Sequence, residues 1–157
     1  MATPEEQGLV KERAHAFLAS HKTGVLATLS PSGHPRARTI YYVCDDSFSI
    51  YFMTLANTRK DDDIAAKNHA AFVVSEERVP QTLQLEGAVT NLTDSVAMDP
   101  ALARLAEVTM SNSTYFAPLT RFDPAKVLFY RLKPEWIRWG DFTHGVTSAE
   151  VLSEIYP

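Results

Sequence analysis

Cysteine is almost absent from this 157-residue chain, which contains a single one, Cys44. One thiol cannot form a disulfide within the chain, and it cannot build a zinc or iron–sulfur site that needs several cysteines. The five histidines show neither HExxH nor any other paired ligand spacing, so the sequence does not support a metal site. We expect a protein that folds without disulfides or metals in a reducing compartment.

Long apolar runs and excess positive charge are missing as well. No stretch approaches the roughly 18 apolar residues of a membrane-spanning helix, and the charged first residues lack the apolar core of a signal peptide. The 15 Lys and Arg residues face 19 Asp and Glu residues, which gives a formal net charge of −4 and argues against binding nucleic acid through bulk positive charge. The expectation is a cytoplasmic protein that binds neither membranes nor nucleic acids.

Several motifs of enzyme chemistry are also absent. The chain has no Gly-x-Ser-x-Gly elbow, no Walker A loop and no Gly-x-Gly-x-x-Gly loop. Cys44 falls on the inward side of a predicted strand, where an inert core thiol is expected. No residue is therefore assigned a catalytic role.

The composition that remains is that of one globular domain spanning residues 1–157, with 45% hydrophobic and 10% aromatic residues. A helix is predicted to begin with Thr3 as N-cap and Pro4 at its first position, and Glu6 completes a capping box. Apolar residues then recur at helical spacing until about residues 20–21.

Beyond residue 22 the apolar pattern changes to that of strands and short turns. Helices are predicted from Thr58 to about Asn68 and from Asp99 onward. Consecutive strands lie too close for βαβ crossovers, so the fold class is mainly β, a small antiparallel barrel with peripheral helices. The first three strands form a meander, and the full set covers residues 23–30, 36–44, 48–54, 70–75, 82–92, 126–132 and 136–139.

One candidate for anion binding is Thr58-Arg59-Lys60, at a predicted helix start directly after a strand. Free backbone N–H groups at a helix start favour phosphate, arginine adds a planar fork and lysine a point charge. The alternative is a solvated helix start whose cations balance the solvated acidic residues 61–63. Both interpretations stay open on this segment alone.

A second candidate is the pair Arg36 and Arg38, which share one face of a predicted strand because they are two residues apart. They could hold an anion at the mouth of a sheet, or they could form an exposed strand end. Aromatic side chains could stack on a flat cofactor, although most such residues belong to a core. Among them Trp139 is retained as a candidate, because charged residues surround it.

The order of several segments resembles one known family. These segments are GVLATLSPSGHPRARTIYY (24–42), YFMT (51–54), NTRK (57–60), LQLEGAV (83–89) and VLFYRLKPEWIRWGDF (127–142). Over about residues 10–142 the chain resembles the pyridoxamine 5′-phosphate oxidase-like family of FMN-binding split barrels, in particular its stress-protein and reductase-like branch. The resemblance implies a split barrel of six or seven antiparallel strands and a homodimer with FMN at the interface. It also implies a flavin-dependent oxidoreductase with a small-molecule substrate.

The resemblance also implies a set of flavin-site residues. Thr58-Arg59-Lys60 matches the Ser/Thr-Arg-Lys phosphate grip of the family. Gln84 would approach the flavin from the other subunit, and Trp139 would reach across the dimer to the ring. The whole set comprises Arg38, Thr39, Ile40, Tyr41, Met53, Thr54, Thr58, Arg59, Lys60, Gln84 and Trp139.

The carboxyl-terminal segment departs from the vitamin-forming oxidases, which end in an Arg-Leu-x-Pro segment over the substrate phosphate. This chain ends in VLSEIYP, and its similar run at 131–134 precedes the last predicted strand, so that activity is not expected. The alternatives are a deazaflavin-dependent reductase on the same barrel and a non-catalytic flavin- or haem-binding module. The histidine-bearing extensions of haem-handling relatives have no counterpart here beyond His144.

Overall fold

The computed structural model describes residues 3–110, 123–143, 145 and 152–156, and His144 lies outside them. Short 3-10 helices cover Thr93–Met98 and Pro124–Lys126. The helices are α1 (Pro4–Ser20), α2 (Arg59–Ala66) and α3 (Pro100–Met110), and the strands are β1 (Thr23–Leu29), β2 (Pro35–Tyr41), β3 (Val43–Cys44), β4 (Ile50–Leu55), β5 (His69–Glu76), β6 (Gln81–Asn91), β7 (Val127–Asp141) and β8 (Leu152–Tyr156).

Helix α1 begins as its capping box predicts. The Thr3 hydroxyl accepts a hydrogen bond from the Glu6 backbone N–H at 3.2 Å, and the Glu6 carboxylate accepts one from the Thr3 N–H at 2.6 Å. One face of the helix buries Ala14, Phe17 and Leu18 against the sheet. The helix thereby covers part of the core that the strands enclose.

The eight strands form one antiparallel sheet in the order β2-β1-β5-β6-β7-β4-β3, with β8 paired to β7. Strands β2 and β3 stand at opposite ends of this order, yet Tyr42 alone joins them in the chain. The sheet must therefore curl until its two ends meet, which removes most of its exposed edge. The prediction of a mainly β antiparallel barrel with peripheral helices is confirmed.

Two strand boundaries were predicted wrongly. Residues 36–44 do not form one strand, because the chain changes partner at Tyr42: β2 pairs with β1, whereas β3 pairs with β4. The strands predicted at 126–132 and 136–139 are the single strand β7, which passes through Pro134 at a bulge opposite Gly87. A Cβ atom on Gly87 would lie 2.0 Å from the Lys133 carbonyl oxygen, so this bulge requires glycine. Strand β8 was not predicted, and the count is eight rather than six or seven.

The core lies inside the curled sheet. Its largest fully buried side chains include Phe52, Phe72 and Leu132, on strands from both halves of the sheet. Each such side chain contributes about 1.5–3 kcal/mol relative to its exposed state. A second apolar cluster packs α3 over β3 and β4 through Val43, Tyr51, Leu102 and Leu105. Together the two clusters hold β4 on both faces, and β4 leads directly into α2.

Candidate anion-binding site

Helix α2 begins where β4 ends, and hydroxyl groups fix the junction. Thr58 is the N-cap: its hydroxyl accepts from the Asp61 backbone N–H at 3.4 Å and donates to the Leu55 carbonyl at 2.9 Å. The Thr54 hydroxyl, buried at the end of β4, lies 3.1 Å from that of Thr58. The helix start that the sequence predicted at Thr58 is confirmed.

Asp61 ties this helix start to the neighbouring strand and turn. One of its carboxylate oxygens accepts from the Tyr130 hydroxyl of β7 at 2.8 Å. The other accepts from the backbone N–H of Asn57 at 2.9 Å, and Asn57 has the left-handed φ of 61°. Burial, followed by the Asp61 carboxylate, raises the pKa of Tyr130, so its hydroxyl remains a donor.

Asp63 is fully buried at the centre of a polar network that joins α2 to β1 and β2. Its Oδ1 lies 2.7 Å from Arg36 Nη1, and its Oδ2 lies 3.1 Å from Arg38 Nη2. The Thr28 hydroxyl donates to Oδ2 at 2.7 Å and accepts from Arg38 Nη1 at 2.5 Å. The carboxylate therefore organises both guanidinium groups.

The neighbouring charges and hydrogen bonds favour the ionised form of the Asp63 carboxyl. Burial on its own would raise the pKa of the Asp63 carboxyl, but the hydrogen bonds from Thr28 and Arg38 and the two guanidinium charges outweigh it and hold the pKa below its usual range. The expectation that residues 61–63 are all solvated is wrong for Asp63. The reason is that the inner face of α2 turns Asp63 and Ile64 toward the barrel.

Lys60 is a half-buried cation beside this network. Burial and, after it, the charge of Arg38 lower the pKa of Lys60 to about 8. In the part of the chain that the structure describes, no carboxylate lies within ion-pair distance of the Lys60 ammonium group. Arg36, Arg38 and Lys60 thus exceed the single charge of Asp63 by two, next to the free N–H groups of a helix start.

The predicted site residues divide into two groups. Thr54 and Thr58 contact each other at the start of α2, and Lys60 in its first turn lies close enough to Arg38 to feel its charge. Arg59 is the first helical residue and is exposed. The others are spread over nearby strands: Ile40 is a core residue, Thr39 is exposed and Tyr41 half-buried on β2, and Met53 packs against the cluster beneath α3. Thr28 and Asp63 belong to the same network and were not predicted. Arg36 was predicted with Arg38 as an anion-binding candidate, although the flavin-site set omits it.

The structure places Trp139 in the core of the subunit. Its side chain is only 3% exposed and packs against Phe17, with 4.9 Å between the ring centroids. Its contact with a flavin across a dimer stays a prediction. The spacing of Trp139 two residues after the apolar Ile137 was a signal for the inward face of a strand.

Trp136, by contrast, lies on the outer face of the sheet with Gln84. Its indole N–H donates to Glu154 at 3.2 Å, and the Arg138 guanidinium lies 5.2 Å from its ring centroid. Both side chains line a cavity of about 470 Å³ over Ala27 and Ala71. A second cavity of about 360 Å³ continues from those alanines toward Leu29. We call this combined surface the outer groove.

The described residues hold no group of three or more His, Cys, Asp or Glu side chains arranged to bind a metal ion. Within the same part of the chain, no helix has the length and apolar character needed to cross a membrane.

Comparison with known proteins adds a family to this geometry. The model of the family described as pyridoxamine 5′-phosphate oxidase matches residues 10–139. The chain belongs to the pyridoxamine 5′-phosphate oxidase family. The matched range includes β1, β2, β4 and the whole of α2, which carry the candidate anion-binding site.

One relative in this family is the pyridoxine/pyridoxamine 5′-phosphate oxidase of Mycolicibacterium paratuberculosis. It is 31% identical over 90 residues, which cover 57% of this chain. The same alignment covers 41% of that enzyme, so this chain matches less than half the length of its relative.

Two solved structures show the family fold. A pyridoxamine 5′-phosphate oxidase-related, FMN-binding protein from Nostoc punctiforme superimposes with a TM-score of 0.57 at 14% identity, covering 98% of this chain and 89% of that one. A haem-binding protein from Mycobacterium smegmatis superimposes with a TM-score of 0.67 at 17% identity, covering 98% of this chain and 59% of that one. At these identities the likeness establishes the split barrel of the pyridoxamine 5′-phosphate oxidase family as the fold.

Proposed function

We propose that this protein binds FMN and holds the FMN phosphate at the start of α2. The observation that carries the proposal is the half-buried Lys60 beside Arg38, with its pKa lowered to about 8 and no carboxylate partner in the described structure. A ligand anion beside Lys60 would stabilise the charged form that burial and Arg38 disfavour. The FMN-binding relative from Nostoc punctiforme supports the choice of cofactor.

The donor set suits a phosphate monoester. Such a group carries about −1.5 to −2 charges near neutral pH, which Arg38 and Lys60 can offset. Arg38 can offer the guanidinium N–H groups that Thr28 and Asp63 leave unused, Lys60 can offer a mobile ammonium group, and α2 can offer its first backbone N–H groups. Asp63 and Thr28 keep the fork in place, and Thr54 and Thr58 keep the helix start against the strand.

As the reaction class we propose a flavin-dependent oxidoreductase acting on a small molecule or a nicotinamide. Bound FMN would supply hydride or electron transfer at its ring. Tyr41, Met53 and Gln84 remain predicted contacts of that ring. The oxidase activity of the mycobacterial relative is not part of the proposal, because this chain matches only 41% of that enzyme.

We further propose a homodimer that places the cofactor at its interface. Val25 and Leu29 are 37% and 40% exposed, and they lie along the outer groove with Trp136. Exposed apolar side chains that line a groove are typical of a protein–protein contact. A second copy on this surface would bring Gln84 of one subunit toward the other, as the family resemblance implies.

The proposal is tested by purifying the protein, recording its absorption spectrum, and titrating cofactor-free protein with FMN by calorimetry. We expect a flavin spectrum, or uptake of FMN, that Lys60→Ala weakens at least about ten-fold, the scale of one charged hydrogen bond. Lys67→Ala is the matched control, because Lys67 is exposed at the other end of α2. Equal FMN affinity in both variants and the wild type would refute the assignment of the site.

The same experiment separates the alternatives. A haem spectrum would contradict the proposal and would favour the function named for the Mycobacterium smegmatis structure. Against that outcome, the described histidines already have partners; His15 and His21, for example, bond to backbone carbonyls at 3.0 Å and 2.8 Å. Displacement of FMN by a deazaflavin at lower concentration would identify the deazaflavin as the ligand. FMN binding without oxidation of NADH or NADPH would leave a flavin-binding module.

A further inference from the structure

Asp63 places a negative charge inside a site that we propose for an anion. Its carboxylate lies on α2, while its three partners, Thr28, Arg36 and Arg38, lie on β1 and β2. A fully buried carboxylate repels a phosphate in its neighbourhood. Arg36 and Arg38 offset its charge, so its effect on a ligand depends on what it does to these two side chains.

We infer that Asp63 is a positioning residue, which holds the Arg36 and Arg38 side chains in the orientation that a phosphate group meets. The inference rests on the FMN-phosphate site proposed above and deepens it. Asp63 makes no contact with the ligand in this scheme. It acts through the two guanidinium groups.

The geometry supports this role because each carboxylate oxygen holds one arginine. Oδ1 lies 2.7 Å from Arg36 Nη1, and Oδ2 lies 3.1 Å from Arg38 Nη2. The Thr28 hydroxyl bonds both to Asp63 Oδ2 and to Arg38 Nη1. The Arg38 guanidinium is therefore fixed in the orientation of its plane as well as in its distance from Asp63. Among the described contacts of Arg38, two of its N–H donors are used, and the others remain for a ligand.

The charges lead to the same conclusion. Without Asp63, the cations Arg36, Arg38 and Lys60 would meet at a half-buried position with no compensating charge. Arginine side chains have many rotamers, and mutual repulsion would turn them toward water. Ligand binding would then have to order the three side chains, and this entropic cost weakens the affinity.

Positioning and simple electrostatics predict opposite results for Asp63→Asn. Removing a negative charge strengthens anion binding if only the field matters. It weakens anion binding if the carboxylate holds the arginines in place. Comparing FMN with riboflavin, which lacks the phosphate, isolates this effect from contacts of the ring.

The experiment is calorimetric titration of the full-length, cofactor-free protein with FMN and with riboflavin. In the wild type we expect FMN to bind more tightly than riboflavin. In Asp63→Asn and Asp63→Glu we expect that preference to fall about ten-fold, with the affinity for riboflavin unchanged. Asp62→Asn is the control, because it removes the same charge from an exposed neighbour on α2, and its preference should stay within about two-fold of the wild type.

A double-mutant cycle separates positioning from a general loss of structure. In an Arg38→Ala background, Asp63→Asn should have little further effect on the preference for FMN, because the arginine that Asp63 positions is absent. Thr28→Val offers a milder test if Asp63 variants do not fold, since it removes the hydroxyl that locks Arg38 to the carboxylate. That variant should lower the FMN preference in the same direction.

Three outcomes would overturn the inference: an unchanged or increased FMN preference in folded Asp63→Asn, full additivity with Arg38→Ala, or an unchanged preference in Thr28→Val. Failure of the underlying proposal is recognised separately. In that case the wild type itself binds FMN no better than riboflavin, before any substitution is made.

Discussion

Lys60 is charged in a place where burial and Arg38 both oppose the charge. In water a lysine titrates near 10.5, whereas the pKa of Lys60 in the folded chain is about 8. Between these two values the unfolded chain binds more protons than the folded chain. The stability of the cofactor-free protein therefore rises with pH across this window, and charged Lys60 lowers it below pH 8.

Lys60→Met should accordingly stabilise the cofactor-free protein at pH 7 while it removes the proposed phosphate contact. We expect the melting temperature to rise by about 2–4 °C, which corresponds to about 1 kcal/mol in a domain of this size. The gain should shrink as the pH is raised through 8 toward 10.5, because wild-type Lys60 then loses its proton. Thermal melts over a pH series measure this, with Lys67→Met as control, and a lower melting temperature for Lys60→Met at pH 7 would contradict it.

At the scale of elements, the junction of β4 and α2 carries the site. The Thr58 hydroxyl caps the helix and also bonds back to the strand, at Leu55. Asp61 bonds to Tyr130 of β7, so a third element fixes the same turn. A short helix of eight residues depends on such contacts more than on its own helical propensity.

Thr58→Ala should therefore destabilise the protein by about 1 kcal/mol, the usual cost of losing an N-cap, and should weaken FMN binding as the helix start frays. Thr58→Ser keeps the hydroxyl and should restore both properties. Chemical denaturation and FMN titration of the two variants test this. Equal stability of Thr58→Ala and the wild type would show that the cap contributes nothing.

Some boundaries of the helices and strands could be predicted from the sequence, and others could not. The capping box of Thr3 was predictable because its signal lies within four adjacent residues. The continuity of β7 through Pro134 was not, because it depends on the bulge at Gly87, far away in sequence. The partner change at Tyr42 likewise depends on where distant strands pair.

In the candidate site, too, local signals were predictable from the sequence and long-range contacts were not. Lys60 could be predicted because it follows a helix start, and Arg38 because of the alternation of its strand. The family resemblance supported both. Asp63 was not, because an acidic triplet gives no local indication of which carboxylate two arginines will surround. The burial of Trp139 depends on the register of β7 with β6, which residues far apart in the sequence decide.

At the scale of the whole molecule, the outer groove is the surface that a second copy would cover. Val25→Glu would place a charge among apolar side chains of that contact, and we expect it to weaken the dimer more than about ten-fold. Leu9→Glu is the control, since Leu9 is 56% exposed on α1 and away from the groove. Analytical ultracentrifugation of both variants distinguishes the cases, and a monomeric wild type would refute the proposed homodimer.

The pairing of β4 has a consequence for the order in which the molecule can be completed. Its neighbours are the two-residue strand β3 and the long strand β7, which begins at Val127. A chain emerging from the ribosome therefore exposes β4 without its main partner until β7 has been translated. Helix α2 follows β4 directly, so its junction with the strand gains its full support, including Tyr130, only then. The candidate site is therefore complete only after β7 has been made, and the FMN binding proposed above would have to follow that step.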